Sequence, residues 1–276
     1  MKKIFIAAAL GTLMSGGTFA QEFKMPAPSP TTTISQDFST STIEIVYSRP
    51  GVKGRKIFGD LVPFGKEWRT GANANTKITF GEDVEFGGAK VPAGSYSIYA
   101  MPNKTSWEIV LNSSTENWGL SGYDKAKNIA VANVPVKTIK DKVESFTISL
   151  DNLTKNSADL SFTWENTKVV VPITTNNDKR IEEYIETALQ GEKPPYLTAA
   201  RYYFEKNKNL DNALAYTDKA IAENPKAFYM YSLKADILNK LGKKAAAIEA
   251  AKTAAEGAKG TPYEEEYQQN LKKLMK

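Results

Sequence analysis

Between positions 49 and 69 the chain carries Arg49, Lys53, Arg55, Lys56, Lys66 and Arg69, against only Asp60 and Glu67. Guanidinium groups present paired N–H donors that match the two oxygens of a carboxylate or phosphate. Asn73 and Asn75 follow with amide donors and acceptors, and Trp68 adds a flat apolar face. Gly51, Gly54, Gly59, Gly65 and Gly71 mark the segment as irregular, and irregular segments supported by a sheet are where binding groups concentrate. Arg49, Lys53, Arg55, Trp68, Arg69, Asn73 and Asn75 are therefore the candidate ligand-binding residues. They suit a small anion, or a sugar stacked on an aromatic ring. A structural role competes with this reading. Arginines can satisfy the carbonyls of a long crossing, and Ile57, Phe58, Leu61, Phe64 and Trp68 can cover the open end of a β structure.

Other chemistry is narrower. The chain has neither cysteine nor histidine. That excludes a disulfide, a thiolate nucleophile, a Cys/His zinc site and any triad built on an imidazole base. Glu44, Asp60, Glu67 and Glu108 offer carboxylates for glycoside hydrolysis, which needs two carboxyl groups about 5–10 Å apart. Spacing along the chain does not bring any two together, and no catalytic residue is assigned. Residues 81–83 lack the alternation of a calcium loop. Residues 59–65 lack the Gly-Lys-Ser/Thr ending of a phosphate-binding loop. Glu264, Glu265 and Glu266 suit the first turn of a helix, where negative charge favours the dipole. No metal and no cofactor is expected.

These residues must be positioned by strands. Ile43, Ile45 and Tyr47 alternate with polar neighbours, as do Trp107, Ile109 and Leu111, then Phe146, Ile148 and Leu150, then Leu160, Phe162 and Trp164. A period of two with β-branched and aromatic residues denotes half-buried strands. Turn signals at Gly87-Gly88, Pro92-Ala93-Gly94, Pro102-Asn103 and Asp151-Asn152 separate them. Roughly eight to ten strands with no amphipathic helix between them predict an antiparallel sandwich or barrel rather than a βαβ fold.

Near residue 176 the period changes. Asn177-Asp178 can cap a helix carrying Ile181, Tyr184, Ile185 and Leu189, stopping at Gly191. Beyond Pro194-Pro195 the chain is Ala-rich and helical. Ala213 and Ala247, Ala220 and Ala254, and Phe204 and Leu238 recur at one offset, about 34 residues, which resembles the tetratricopeptide repeat. The match departs from that repeat at Lys208, where a glycine is usual, and at Tyr231, where a tryptophan is usual. Two repeats rarely stand alone, so residues 263–275 are expected to form a capping helix. A generic helical-hairpin bundle is the alternative. The fold class is thus α+β multidomain: an N-terminal antiparallel β-sandwich over residues 33–175, then C-terminal helical hairpin repeats over residues 176–276.

The N-terminus reads as a secretory signal over residues 1–20. Lys2 and Lys3 precede an apolar run, small residues follow, and Thr18-Phe19-Ala20 fits a cleavage site. The run is too short to span a bilayer comfortably, so no transmembrane segment is expected in the mature chain. Residues 21–32 read as a proline-rich linker. Without Lys2 and Lys3 the formal net charge falls from +5 to +3, which is too mild to argue for nucleic acid. The expected location is the periplasm or the exterior.

The most distinctive block runs through Tyr47-Ser48-Arg49-Pro50-Gly51, Leu61-Val62-Pro63-Phe64-Gly65 and Trp68-Arg69-Thr70-Gly71-Ala72-Asn73. Together with Val91-Pro92-Ala93-Gly94-Ser95-Tyr96 and Trp107-Glu108-Ile109-Val110-Leu111-Asn112, it resembles the Domain of Unknown Function 2911 family of exported bacterial proteins, many from Bacteroidota. The resemblance covers about residues 30–175. It implies an exported β domain, in some members followed by a helical tail, with no established activity. After Trp118-Gly119 the chain reads Leu120-Ser121-Gly122-Tyr123, where many members carry a more aromatic, acidic run. The expected function is a non-enzymatic binding or scaffold module. It would take a small anionic or glycan ligand at the β domain and a peptide or protein partner at the helical tail. The alternative is a carboxylate-based hydrolase acting on envelope carbohydrate.

Overall fold

The computed structural model describes residues 25–276. The expected signal peptide and its cleavage site lie outside them. The chain divides into two compact units, with the boundary between Thr175 and Asn176.

The first unit holds ten strands among the described residues: β1 Thr31–Phe38, β2 Ser41–Ser48, β3 Thr76–Phe80, β4 Val84–Phe86, β5 Ala89–Val91, β6 Gly94–Pro102, β7 Ser106–Asn112, β8 Asn128–Pro135, β9 Lys137–Asp151 and β10 Ser157–Thr174. They form two antiparallel sheets, ordered β1-β2-β3-β6-β7-β8 and β5-β4-β10-β9. The alternation read from the sequence decides the inward faces. Ile43, Ile45 and Tyr47 of β2, Trp107, Ile109 and Leu111 of β7, and Phe146, Ile148, Leu160, Phe162 and Trp164 of β9 and β10 all fall in one buried cluster drawn from both sheets. A strand turns alternate side chains to opposite faces, so one apolar face per strand suffices to build such a core.

Two details depart from the sequence reading. β1 begins at Thr31, inside the segment read as linker, because it pairs with β2 in register from Thr31 opposite Ser48. The Pro30 carbonyl also accepts the Arg49 N–H at 2.9 Å. β10 is interrupted near Glu165, where the register with β9 shifts and the backbone takes a φ of 56°. Such a bulge re-aims a side chain. Here Glu165 Oε2 accepts the Ile57 N–H at 3.3 Å.

The second unit has six α-helices: α1 Asp178–Ala188, α2 Tyr196–Glu205, α3 Leu210–Glu223, α4 Phe228–Lys240, α5 Lys244–Gly257 and α6 Glu264–Met275. The alanines at the common offset are the tight points of packing: Ala213 and Ala247 are each 0% exposed, and Ala220 and Ala254 are buried too. With only a methyl group at these positions, neighbouring helices approach closely. The turn between α2 and α3 takes left-handed backbone at Asn207 and Asn209, and the turn between α4 and α5 takes it at Gly242. Lys208 itself is spared the strained conformation. Glu264, Glu265 and Glu266 occupy the first turn of α6. No helix among the described residues is long and apolar enough to cross a membrane.

Candidate functional site

The basic segment is the crossing between β2 and β3. Its first part is pinned down. Phe146 N–H donates to the Pro50 carbonyl at 2.9 Å and Val52 N–H to the Glu144 carbonyl at 2.8 Å. Arg49 donates from Nε to the Phe146 carbonyl at 3.1 Å and from Nη2 to Thr147 Oγ1 at 2.8 Å. Its guanidinium therefore ties the end of β2 to β9. Lys53 is exposed, and its backbone N–H is held by Glu144 Oε1 at 2.8 Å. Neither Arg49 nor Lys53 lines the cavity formed by the rest of the crossing.

That cavity has a volume of about 530 Å³, and Arg55, Leu61, Trp68, Arg69, Leu120 and Trp164 are among the residues that line it. Arg55 is fixed by bonds from Nε to the Val52 carbonyl at 3.1 Å and from Nη2 to the Gly51 carbonyl at 2.6 Å. Arg69 is half-buried, and its guanidinium has no hydrogen bond or ion pair among the described residues. Trp68 is 9% exposed. Its ring stacks on Trp164 with centroids 5.9 Å apart and meets Trp107 and Phe146 edge-on. Trp68 is thus a wall of the cavity and part of the core, with one face already occupied by Trp164.

The backbone around Trp68 is shaped to carry Arg69 past the core. Trp68 and Ala100 exchange backbone bonds of 2.8 and 2.9 Å, and Trp68 Nε1 donates to the Gly71 carbonyl at 3.3 Å. Gly71 has a φ of 146°, and a Cβ there would lie 3.0 Å from the Ser48 carbonyl oxygen. The close approach and the positive φ both require glycine.

Glu67 also lines the cavity but is committed elsewhere, pairing with Lys125 Nζ at 2.8 Å. That hydrogen bond holds its carboxyl below the usual carboxylate range. On its other side Glu67 borders a smaller cavity of about 100 Å³ shared with Glu108, Tyr99, Tyr123, Lys125 and Asn128. Glu44 and Asp60 are exposed and line neither.

Asn73 and Asn75 stand apart from the cavity. Asn73 Nδ2 donates to the Ser29 carbonyl at 3.2 Å and to Ser48 Oγ at 3.3 Å, which binds the segment before β1 to the crossing. Asn75 is 4% exposed and donates to Ser97 Oγ and Tyr99 OH at 3.2 and 3.0 Å. Tyr99 OH accepts a further bond from Asn117 at 3.2 Å. These groups form a polar layer between β6 and the loop of residues 113–127.

The structure therefore brings Arg55, Trp68 and Arg69 to one cavity and leaves Arg49, Lys53, Asn73 and Asn75 outside its lining. Sequence reasoning missed Leu120 and Trp164. The signal for Leu120 was present in the Trp118-Gly119-Leu120 run: Gly119 is buried beneath Arg69 while Trp118 is 67% and Leu120 47% exposed. Nothing local marks Trp164, which reads as an ordinary strand residue. No three acidic, histidine or cysteine side chains gather as a metal site among the described residues.

Neither the curated proteins nor the solved structures contain a match to this chain. A family model matches residues 29–173, which include both sheets, the crossing and the loop bearing Leu120. The chain belongs to the family described as Protein of unknown function (DUF2911).

Proposed function

We propose that this chain is an exported, non-enzymatic binding protein of the bacterial envelope, periplasmic or secreted, whose β unit is a sandwich that holds a small anionic ligand against Arg69. The unpartnered guanidinium of Arg69, half-buried in a cavity of about 530 Å³, carries this reading. A partly desolvated charge without a partner is costly, and an anion that pairs with it recovers that cost. Arg55 stands in the same lining, already fixed in position by its two backbone carbonyls. The helical unit, read as a tetratricopeptide-like hairpin array capped by α6, supplies a concave surface for a peptide or protein partner.

Trp68 and Trp164 line the cavity, so tryptophan fluorescence can follow its filling. Titration with acetate, octanoate, phosphate and glucuronate should give a saturable response to at least one anion, abolished in Arg69→Ala. A response to none of them, or one unchanged in Arg69→Ala, refutes the reading.

A hydrolase acting on envelope carbohydrate is the second reading, favoured by the convergence of Glu67 and Glu108 on the smaller cavity. The ion pair with Lys125 keeps Glu67 ionised, which disfavours it as the general acid and leaves that role to Glu108. This reading requires release of reducing ends from envelope polysaccharide by the native chain, lost in Glu108→Gln.

A further inference from the structure

The Arg69 cavity offers donors and apolar surface but few acceptors. Guanidiniums only donate. Arg69 is unpartnered among the described residues, and Arg55 keeps donors beyond the two bonds it makes. The carboxylate in the lining, Glu67, is taken up by Lys125. A sugar brings many hydroxyls, each of which needs an acceptor as well as a donor, and here most would be left unpaired. An acid head group accepts only, which is what the lining requires.

Apart from Ser29, the other side chains of the lining are apolar. Leu61 is 46% exposed and Leu120 47%. They come from two segments far apart in the chain, the β2–β3 crossing and the loop of residues 113–127, yet both border this cavity. Behind them stand Val62, Trp68 and Trp164, all nearly buried. Of the two guanidiniums in the lining only Arg69 lacks a protein partner, and one unpartnered cation beside an apolar wall fits a molecule with a single anionic end. A lone planar guanidinium pairs two oxygens side by side, which matches a carboxylate. A phosphate would bring a third oxygen and a second charge.

We infer that the ligand is a small carboxylic acid with an apolar body, of the medium-chain or aryl-alkanoic class. Its carboxylate pairs with Arg69 and its body lies against Leu61 and Leu120. This rests on the Arg69 reading and narrows it.

Calorimetric titration of the full chain with octanoate, 3-phenylpropionate, octanol, glucuronate and phosphate tests the assignment. One of the two apolar acids should bind at least about tenfold tighter than glucuronate and phosphate, and octanol should not bind measurably. Arg69→Ala should lose about tenfold or more of the acid affinity, and Arg69→Lys should lose less. Leu61→Ser changes an exposed side chain and so preserves the fold. It should weaken apolar acids and leave phosphate unaffected. Glucuronate or phosphate binding as tightly, still dependent on Arg69, overturns the apolar class and leaves the anion site standing. Acid binding indifferent to Arg69→Ala, or no binding of any acid, overturns both.

Discussion

The guanidinium of Arg69 lies over Gly119: a Cβ built on Gly119 would fall 2.8 Å from Arg69 Nη1. The glycine has a φ of 65°, so this backbone is left-handed as well as crowded. Its place in the loop of residues 113–127 sets where the unpartnered cation can rest and puts Leu120 at the cavity beside it.

Gly119→Ala should therefore have two effects. Left-handed backbone costs an L-residue about 1–2 kcal/mol, which chemical denaturation would register. The new methyl group displaces the tip of Arg69, so anion affinity should fall several-fold. A stability loss with unchanged affinity would show that Arg69 binds independently of this contact.

Arg49 and Arg69 should separate cleanly, because one is bound to protein partners outside the cavity and the other is not. Arg49→Ala strands the Phe146 carbonyl and leaves the Thr147 hydroxyl with only its bond to the Ser145 carbonyl. It should cost about 1–3 kcal/mol in a urea titration while leaving anion affinity intact. Arg69→Ala should do the reverse.

The Glu67–Lys125 pair predicts an acid-side effect. The hydrogen bond from Lys125 lowers the Glu67 pKa below its ordinary 4.5. A carboxyl depressed in the folded state contributes stability that is present above its unfolded pKa. That contribution is lost as pH falls through the lower folded value. Glu67→Gln should lower the melting temperature slightly near neutrality, and the difference from wild type should shrink as pH falls below about 4.5. The effect is small, since Lys125 is 72% exposed, and added salt should shrink it.

In the helical unit, Ala213 and Ala247 are fully buried at packed positions. Ala213→Leu or Ala247→Leu should destabilise the unit by about 1–3 kcal/mol through overpacking. Hydrogen exchange would accelerate in α2 to α5, while anion binding by the β unit stays unchanged. Equal protection in variant and wild type would contradict the close packing.

How far the sequence could be read depended on the range of the interaction. Inward faces such as Ile43-Ile45-Tyr47 and Leu160-Phe162-Trp164 are written in a two-residue period, and the close-packing alanines in a fixed offset, so both were legible. Partners were not. Arg49 meets Phe146 across 97 positions, and no property of either residue announces the other. Nothing local in the sequence marks Tyr99 either. It is buried on the outward side of β6 because the loop of residues 113–127 covers it, with Asn117 bonded to its hydroxyl.

The sequence by itself determined the order of strands then helices, the apolar faces that each must bury, and the excess of cations in one crossing. It also determined the absence of thiol and imidazole chemistry. These follow from local period and composition, which folding does not alter. Tertiary structure alone decided which cations are satisfied and which remain available. Six basic groups of similar intrinsic chemistry lie between positions 49 and 69, yet Arg49 is consumed by β9 while Arg69 faces a cavity without a partner. The physical reason is that a hydrogen bond extends only about 3 Å. What saturates an arginine is therefore whatever the fold places within that distance, however far away it lies in the chain.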